Sequence, residues 1–124
     1  MATLTTYARD MLSRALCGRA PALPAALYLG LGTGGADSAG LSGEPTGSGY
    51  ARQRVVFTGT GAQRNAENLR WAFSAGVGTL THCGLFDAAT GGNALTFGPL
   101  DTAAVVSGPG TVTIAASAFT MSAD

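Results

Sequence analysis

His82 and Cys83 are neighbours in the sequence, and a thiol beside an imidazole is the pairing that a cysteine nucleophile uses. Adjacent residues of a strand face opposite sides of a sheet, however. Two side chains so placed do not reach each other, and a structural histidine is the better reading of His82. It is the only histidine, so a metal site has no second imidazole. No G-x-S-x-G nucleophile motif is present for it to serve. Gly30-Leu31-Gly32-Thr33-Gly34-Gly35 fits G-x-G-x-x-G. A dinucleotide site needs a helix N-terminus next, to receive the pyrophosphate. Here Ala36-Asp37-Ser38-Ala39-Gly40 and Pro45 follow, which read as loop. Without lysine there is no Walker A motif either. The acids Asp37, Glu44, Asp87 and Asp101 lie in or beside loops at spacings that fit no EF-hand. Paired carboxylates for hydrolysis do not emerge from them. The residues imply no catalytic group, no cofactor and no metal.

The elements that would position these residues centre on 79–100, TLTHCGLFDAATGGNALTFGPL. Small and apolar residues run from Thr79 to Phe86 and resume at Leu95-Thr96-Phe97. Between them Asp87, Gly91, Gly92 and Asn93 mark a hairpin reversal. Glycine and asparagine accept positive φ, and an aspartate can bond its own turn. Upstream, 3–17 reads as one amphipathic helix. Leu4, Tyr7, Ala8, Met11, Leu12, Ala15 and Leu16 form its apolar stripe, Thr3 caps its start and Gly18 ends it. It is either a lid on the domain's own sheet or a docking helix for a neighbouring subunit.

Leu27, Leu29 and Leu31 alternate with Tyr28 and Gly30 in a first strand. Residues 33–49 read as a long Gly-rich contact loop. Strands follow over 50–58 and 64–73. Gln53, Val55 and Phe57 alternate with Arg52, Arg54 and Val56 in the first of these, and Leu69, Trp71 and Phe73 with Arg64, Asn68 and Arg70 in the second. Leu29, Phe57, Trp71, Phe73, Phe86 and Phe97 are the predicted core. Pairing of strands 50–58 and 64–73 would gather Arg52, Arg54, Arg64 and Arg70 into a basic patch facing an acidic neighbour. With Tyr50, Arg52 and Arg54 are the predicted contact residues. Residues 101–110 read as a connection with a short apolar piece at Val105-Val106, and 111–121 as a last strand broken near Ala116. One helix and about six to eight short strands predict a mainly β, antiparallel β-sandwich, Greek-key or jelly-roll-like, or a small barrel.

Composition bounds the partners. The length, 124 residues, suits a single domain spanning 1–124. Charged residues are 11%, against roughly 25% in an average soluble domain. Seven arginines balance seven acids, so no basic face predicts nucleic-acid binding. No apolar run reaches the roughly 18 to 20 residues of a membrane span, and no leader pattern opens the chain, so synthesis and folding in a cytoplasm are expected. A surface so poor in charge suits burial in a larger assembly. Cys17 and Cys83 have no metal-ligand spacing and read as small hydrophobes, with a disulfide as the alternative.

Over nearly its full length the chain resembles a family of small tailed-bacteriophage structural proteins, the phage tail fibre proteins. The resemblance rests on the opening helix, on the strand Leu27-Tyr28-Leu29-Gly30-Leu31 and on Gly49-Tyr50-Ala51-Arg52-Gln53. It rests most on the long run Thr79-Leu80-Thr81-His82-Cys83-Gly84-Leu85-Phe86-Asp87-Ala88-Ala89-Thr90-Gly91-Gly92-Asn93. The resemblance implies a virion component without catalytic residues, assembled in the host bacterial cytoplasm and displayed on the virion surface. Its expected partners are other virion proteins, either tail or major capsid protein, and copies of itself. Similar small proteins act as capsid decoration or cement, and a host receptor- or glycan-binding module, using the 33–49 loop and Tyr50, is the further alternative. One departure stands out. Members carry a tryptophan just before Thr-x-Thr-His, where this chain has Val77-Gly78, and Trp71 comes earlier.

Overall fold

A computed structural model describes residues 3–20, 24–60 and 62–121. The chain opens on a two-residue strand, β1 (Thr3–Leu4), and only then enters helix α1 (Thr6–Leu16). The helix therefore starts later than the predicted 3–17, and its cap is Thr5 rather than Thr3. Thr5 is extended, its hydroxyl accepts from Ala8 N at 3.2 Å, and it donates to Ala94 O at 2.7 Å. Its own N–H reaches Leu95 O at 2.9 Å. Pairing with a distant strand thus claims Thr3–Leu4 before helix propensity can. The C-terminus ends as predicted. Gly18 takes φ +76°, with Arg19 N donating to Arg14 O and Gly18 N to Ala15 O in the double bond of a Schellman motif.

The hairpin predicted over 79–100 is present and longer. It comprises β9 (Gly78–Phe86) and β10 (Ala94–Val106), paired antiparallel with Phe97 opposite Gly84. β10 runs on through Val105-Val106, predicted to lie in a connection, after a register shift between Pro99 and Ala104. On its other side β9 pairs with β2 (Leu27–Gly32), which places Gly30 opposite Gly84. β5 (Gln53–Val55) pairs with β2, and β1 closes the other edge against β10. The five-stranded order is β1-β10-β9-β2-β5.

Two predicted strands each divide between sheets. The stretch 50–58 becomes β5 and β6 (Phe57–Thr58), parted at the exposed Val56. The stretch 64–73 becomes β7 (Gln63–Asn65) and β8 (Leu69–Phe73). The last stretch yields β11 (Gly110–Ile114) and β12 (Thr120–Met121), separated by a turn with Ser117 at φ +67°. β8 pairs with β11, and β12-β7-β6 form a third sheet. Asn65, fully buried, bolts this corner. Its Nδ2 donates to Glu67 O and Ala115 O, and its Oδ1 accepts from Phe119 N, all at 2.8–2.9 Å. Residues 33–49 are not one open loop either. They contain a small hairpin, β3 (Gly34–Ala36) and β4 (Gly40–Ser42), that folds back over β9 and β10. These divisions raise the strand number to twelve among the described residues, above the predicted six to eight.

Side chains from all the larger sheets meet in one cluster, with Leu29, Leu31 and Leu80 on one side and Trp71, Phe73 and Phe119 on the other. The fold is mainly β, antiparallel and sandwich-like, with one N-terminal helix. Of the predicted core, Leu29, Trp71, Phe73 and Phe86 are buried. Phe57 is half-buried, 6.0 Å from the Phe119 ring, and the half-buried Phe97 ring lies where a Cβ on Gly35 would stand. The helix packs inward through Ala8, with Leu4 and Met11 partly covered, while Tyr7, Leu12 and Leu16 of the predicted stripe stay exposed. No helix among the described residues is long and apolar enough to cross a membrane.

Candidate functional site

Three of the residues weighed in the sequence converge, and they do so inside the molecule. After β4 the chain turns at Gly43 and carries Glu44 back beneath β2. Tyr50 and Arg52 then approach the same place from the start of the next strand. Tyr50 N bonds Gly47 O at 3.0 Å, and Ser74 N bonds Ser48 O at 2.8 Å, which ties this segment to the end of β8. The floor is Gly30. A Cβ there would lie 2.6 Å from Glu44 Oε2 and 2.8 Å from the Tyr50 hydroxyl, so only glycine leaves room. The first two glycines of the G-x-G-x-x-G match thus have a packing role, because Gly32 likewise admits Ser42 O and the Leu41 side chain.

Arg52 grips Glu44 with two parallel bonds, Nε to Oε2 at 2.8 Å and Nη2 to Oε1 at 2.9 Å. Their side chains are 9% and 23% exposed. This is the fork-to-fork geometry that makes charge-assisted pairs strong. Nη1 donates to Ala88 O at 3.0 Å and Gly91 O at 2.9 Å, so the same guanidinium holds the tip of the β9–β10 hairpin. Its plane covers the Phe86 ring, 3.5 Å from the centroid. The Tyr50 hydroxyl donates to Glu44 Oε2 and accepts from Leu31 N at 3.0 Å, while its ring stacks on Phe73 at 6.1 Å.

Burial acts most strongly on Glu44 and disfavours its charge. The bonds from Arg52 and Tyr50 and the Arg52 charge together outweigh it, holding the carboxyl below its ordinary value of 4.5. Tyr50 is pushed the other way. Burial first, then the bond to the Glu44 carboxylate, raises its phenol far above the usual 10. Both carboxylate oxygens are engaged by internal donors. The arrangement fastens loop 43–52, strand β2 and the hairpin tip to one another, rather than presenting an acid or base to a substrate.

The tip has its own closure. Asn93 N donates to Asp87 Oδ1 at 2.7 Å, Asn93 Nδ2 to Asp87 Oδ2 at 3.1 Å, and Gly91 and Gly92 take φ +63° and +72°. His82 is half-buried beside Thr81. The Thr81 hydroxyl lies 3.1 Å from Thr33 O and makes a hydrogen bond of 2.8 Å with His82 Nδ1. Nδ1 is thereby committed to Thr81, not to Cys83. Cys83 is buried, lining a cleft of about 290 Å³ with Leu100, Ile114 and Phe119; Cys17 is exposed, and neither is in a disulfide. Among the described residues no group of three His, Cys, Asp or Glu gathers as a metal site.

The predicted contact surface is rearranged. Tyr50 and Arg52 turn inward, because Glu44 and the Gly30 gap offer them a counter-charge and a space that alternation along the strand does not reveal. Arg54 is exposed. The predicted basic patch is dispersed, since β5, β7 and β8 carry Arg54, Arg64 and Arg70 in three separate sheets. Only β6 and β7 pair across the two stretches, Thr58 opposite Arg64. Sequence reasoning passed over Asn65, and it weighed Glu44 only as one of four loop acids, without its partners. Glu44 had one signal: a lone acid, in a charge-poor segment, shortly before Tyr50 and Arg52.

A comparison with curated proteins gives no match. The family described as podophage GP4 fiber I protein gp80 matches residues 2–122, from the segment before β1 to the end of β12. That span takes in the helix, the Glu44–Tyr50–Arg52 fastener and the whole β9–β10 hairpin, and the chain belongs to this podophage fibre protein family.

Proposed function

We propose that the protein is a non-enzymatic structural component of a bacteriophage virion, tail-associated or fibre-like, displayed in multiple copies on the particle surface. The observation that carries this is the family match across residues 2–122. Two features of the chain support it. Charged residues are only 11%, and Leu16, Val56 and Val105 leave 81%, 60% and 70% of their surface exposed. Apolar area of this kind suits burial against other virion proteins and further copies of the chain. The Glu44–Tyr50–Arg52 fastener supports the non-enzymatic part, because its polar groups are satisfied internally.

Gold labelling of the protein on intact particles, seen by negative-stain microscopy, tests the location. Label on the tail is the expected outcome. Label on head faces or vertices alone would replace this reading with capsid decoration. Light scattering tests the copy number, where a mass several times 12.3 kDa is expected. The host-glycan alternative loses its main contact residue, since the Tyr50 hydroxyl is held by Glu44 and Leu31.

A further inference from the structure

The fastener joins parts of the chain that have little else in common. Glu44 belongs to the segment after β4, Arg52 to the approach to β5, and Ala88 and Gly91 to the hairpin tip. Everything passes through one guanidinium. Arg52 offers five N–H groups. Two go to the Glu44 carboxylate and two to the tip carbonyls. Its side chain is only 9% exposed, so the cation is seated away from water largely because a carboxylate faces it. Remove that negative charge and the guanidinium stays charged but lacks its counter-ion. An uncompensated, desolvated charge is unfavourable, and water is the available remedy.

We propose that Glu44 is the trigger of a conformational latch: ionised, it seats Arg52, which holds the β9–β10 tip at Ala88 and Gly91; neutral, it releases Arg52, and the tip loosens with the 43–52 segment. The other groups packed around Glu44 leave this assignment intact. Tyr50 donates to Glu44 as a neutral phenol. From β2 the contacts are the Gly30 backbone and Leu31 N–H, which do not titrate. From β9, Phe86 presents a ring to Arg52. At the hairpin tip, between β9 and β10, Asp87 is the one acid, and its oxygens bond Asn93 rather than Arg52. The lowered pKa of Glu44 sets the direction of the acid response. Stability from the pair is present above 4.5, the ordinary value, and is lost as pH falls through the lower folded value.

The test follows two signals by NMR on the full chain. One is Arg52 Nε–H, which reports the pair and the Phe86 ring. The other is hydrogen exchange at the Asn93 amide, which reports tip closure. In Glu44→Gln at neutral pH both should change together, and Asn93 protection should fall about tenfold or more while the β9–β10 core amides keep theirs. Unchanged Asn93 protection in that variant would overturn the latch. Tyr50→Phe keeps the ion pair and provides the second arm. It should hold the tip at neutral pH and move the acid-induced loss of the Arg52 signal to higher pH. A tip that loosens with acid at the same pH in wild type and Tyr50→Phe, out of step with the Arg52 signal, would also sink the proposal.

Discussion

At the scale of single residues, Tyr50 makes a prediction opposite in sign to that of Glu44. Its phenol is raised above 10 by burial and then by the Glu44 carboxylate, whereas in the unfolded chain it titrates near 10. Below 10 both states hold the proton and its contribution to stability is fully present. As pH climbs past 10, the unfolded chain releases the proton and the folded chain keeps it, so stability falls with rising pH. Urea midpoints at about pH 8 and about pH 11 should therefore drop further in wild type than in Tyr50→Phe, which lacks this proton. An equal drop in both would mean that another group governs the alkaline limb. Arg52 should matter wherever Glu44 is ionised. Removing one partner of a buried ion pair costs about 3–5 kcal/mol, and the partial exposure of Glu44 places Arg52→Ala toward the lower end. The residue types of this site were legible in the sequence; their direction was not. Alternation correctly put Arg52 on the face opposite Gln53, but that face is covered there, because Gly30 opens a gap that the 43–52 segment fills.

At the scale of elements, glycine explains both what the sequence disclosed and what it hid. Gly91 and Gly92 punctuate an otherwise apolar stretch, and the β9–β10 hairpin could be drawn from that contrast alone. In 33–49 glycines are so frequent that they mask a second hairpin. β3 and β4 form there because Gly32, Gly35 and Gly84 leave neighbouring surfaces bare for Ser42, Phe97 and Leu41 to approach. Two substitutions separate these roles. A Cβ on Gly84 would stand 2.7 Å from Leu41 Cβ and 2.9 Å from Thr96 O, both too close and one of them backbone. Overpacking of this sort costs typically 1–3 kcal/mol, so Gly84→Ala should lower the melting temperature and loosen β4. Gly91 has nothing within 4 Å of a Cβ, but its φ of +63° disfavours a branched side chain. Gly91→Val should therefore strain the tip by roughly 1–2 kcal/mol and leave β4 in place. Thermal melts with exchange at the β4 amides distinguish the two. Equal loss at β4 in both variants would refute the division.

At the scale of the whole molecule, the question is whether the three larger sheets behave as one unit. The sequence suggests one strand each over 50–58 and 64–73 and a strand broken near Ala116 over 111–121; in the structure each of the three stretches changes sheet part-way. The sequence marks these crossings faintly: Val56 and Asn65 look like ordinary strand residues until their surroundings are known. Because the chain leaves and re-enters them, none of the three larger sheets consists of a separable segment. The buried cluster confirms the physical link, with Trp71 and Phe119 packed in common with Leu29 and Leu80. Asn65 is the polar joint, tied to Glu67, Ala115, Ser117 and Phe119. We therefore expect the chain to unfold as a single cooperative domain. Trp71, the sole tryptophan, reports on β8 from within the core, and far-UV circular dichroism reports on every strand. The two transitions should coincide in urea, with one midpoint. Asn65→Ala should then shift both midpoints together. It leaves buried backbone groups without their partner, at about 1–3 kcal/mol for each one left unsatisfied. If Trp71 fluorescence changed well before the dichroism, or Asn65→Ala moved only one of the two curves, the corner would be a hinge between independent units rather than the joint of a single domain.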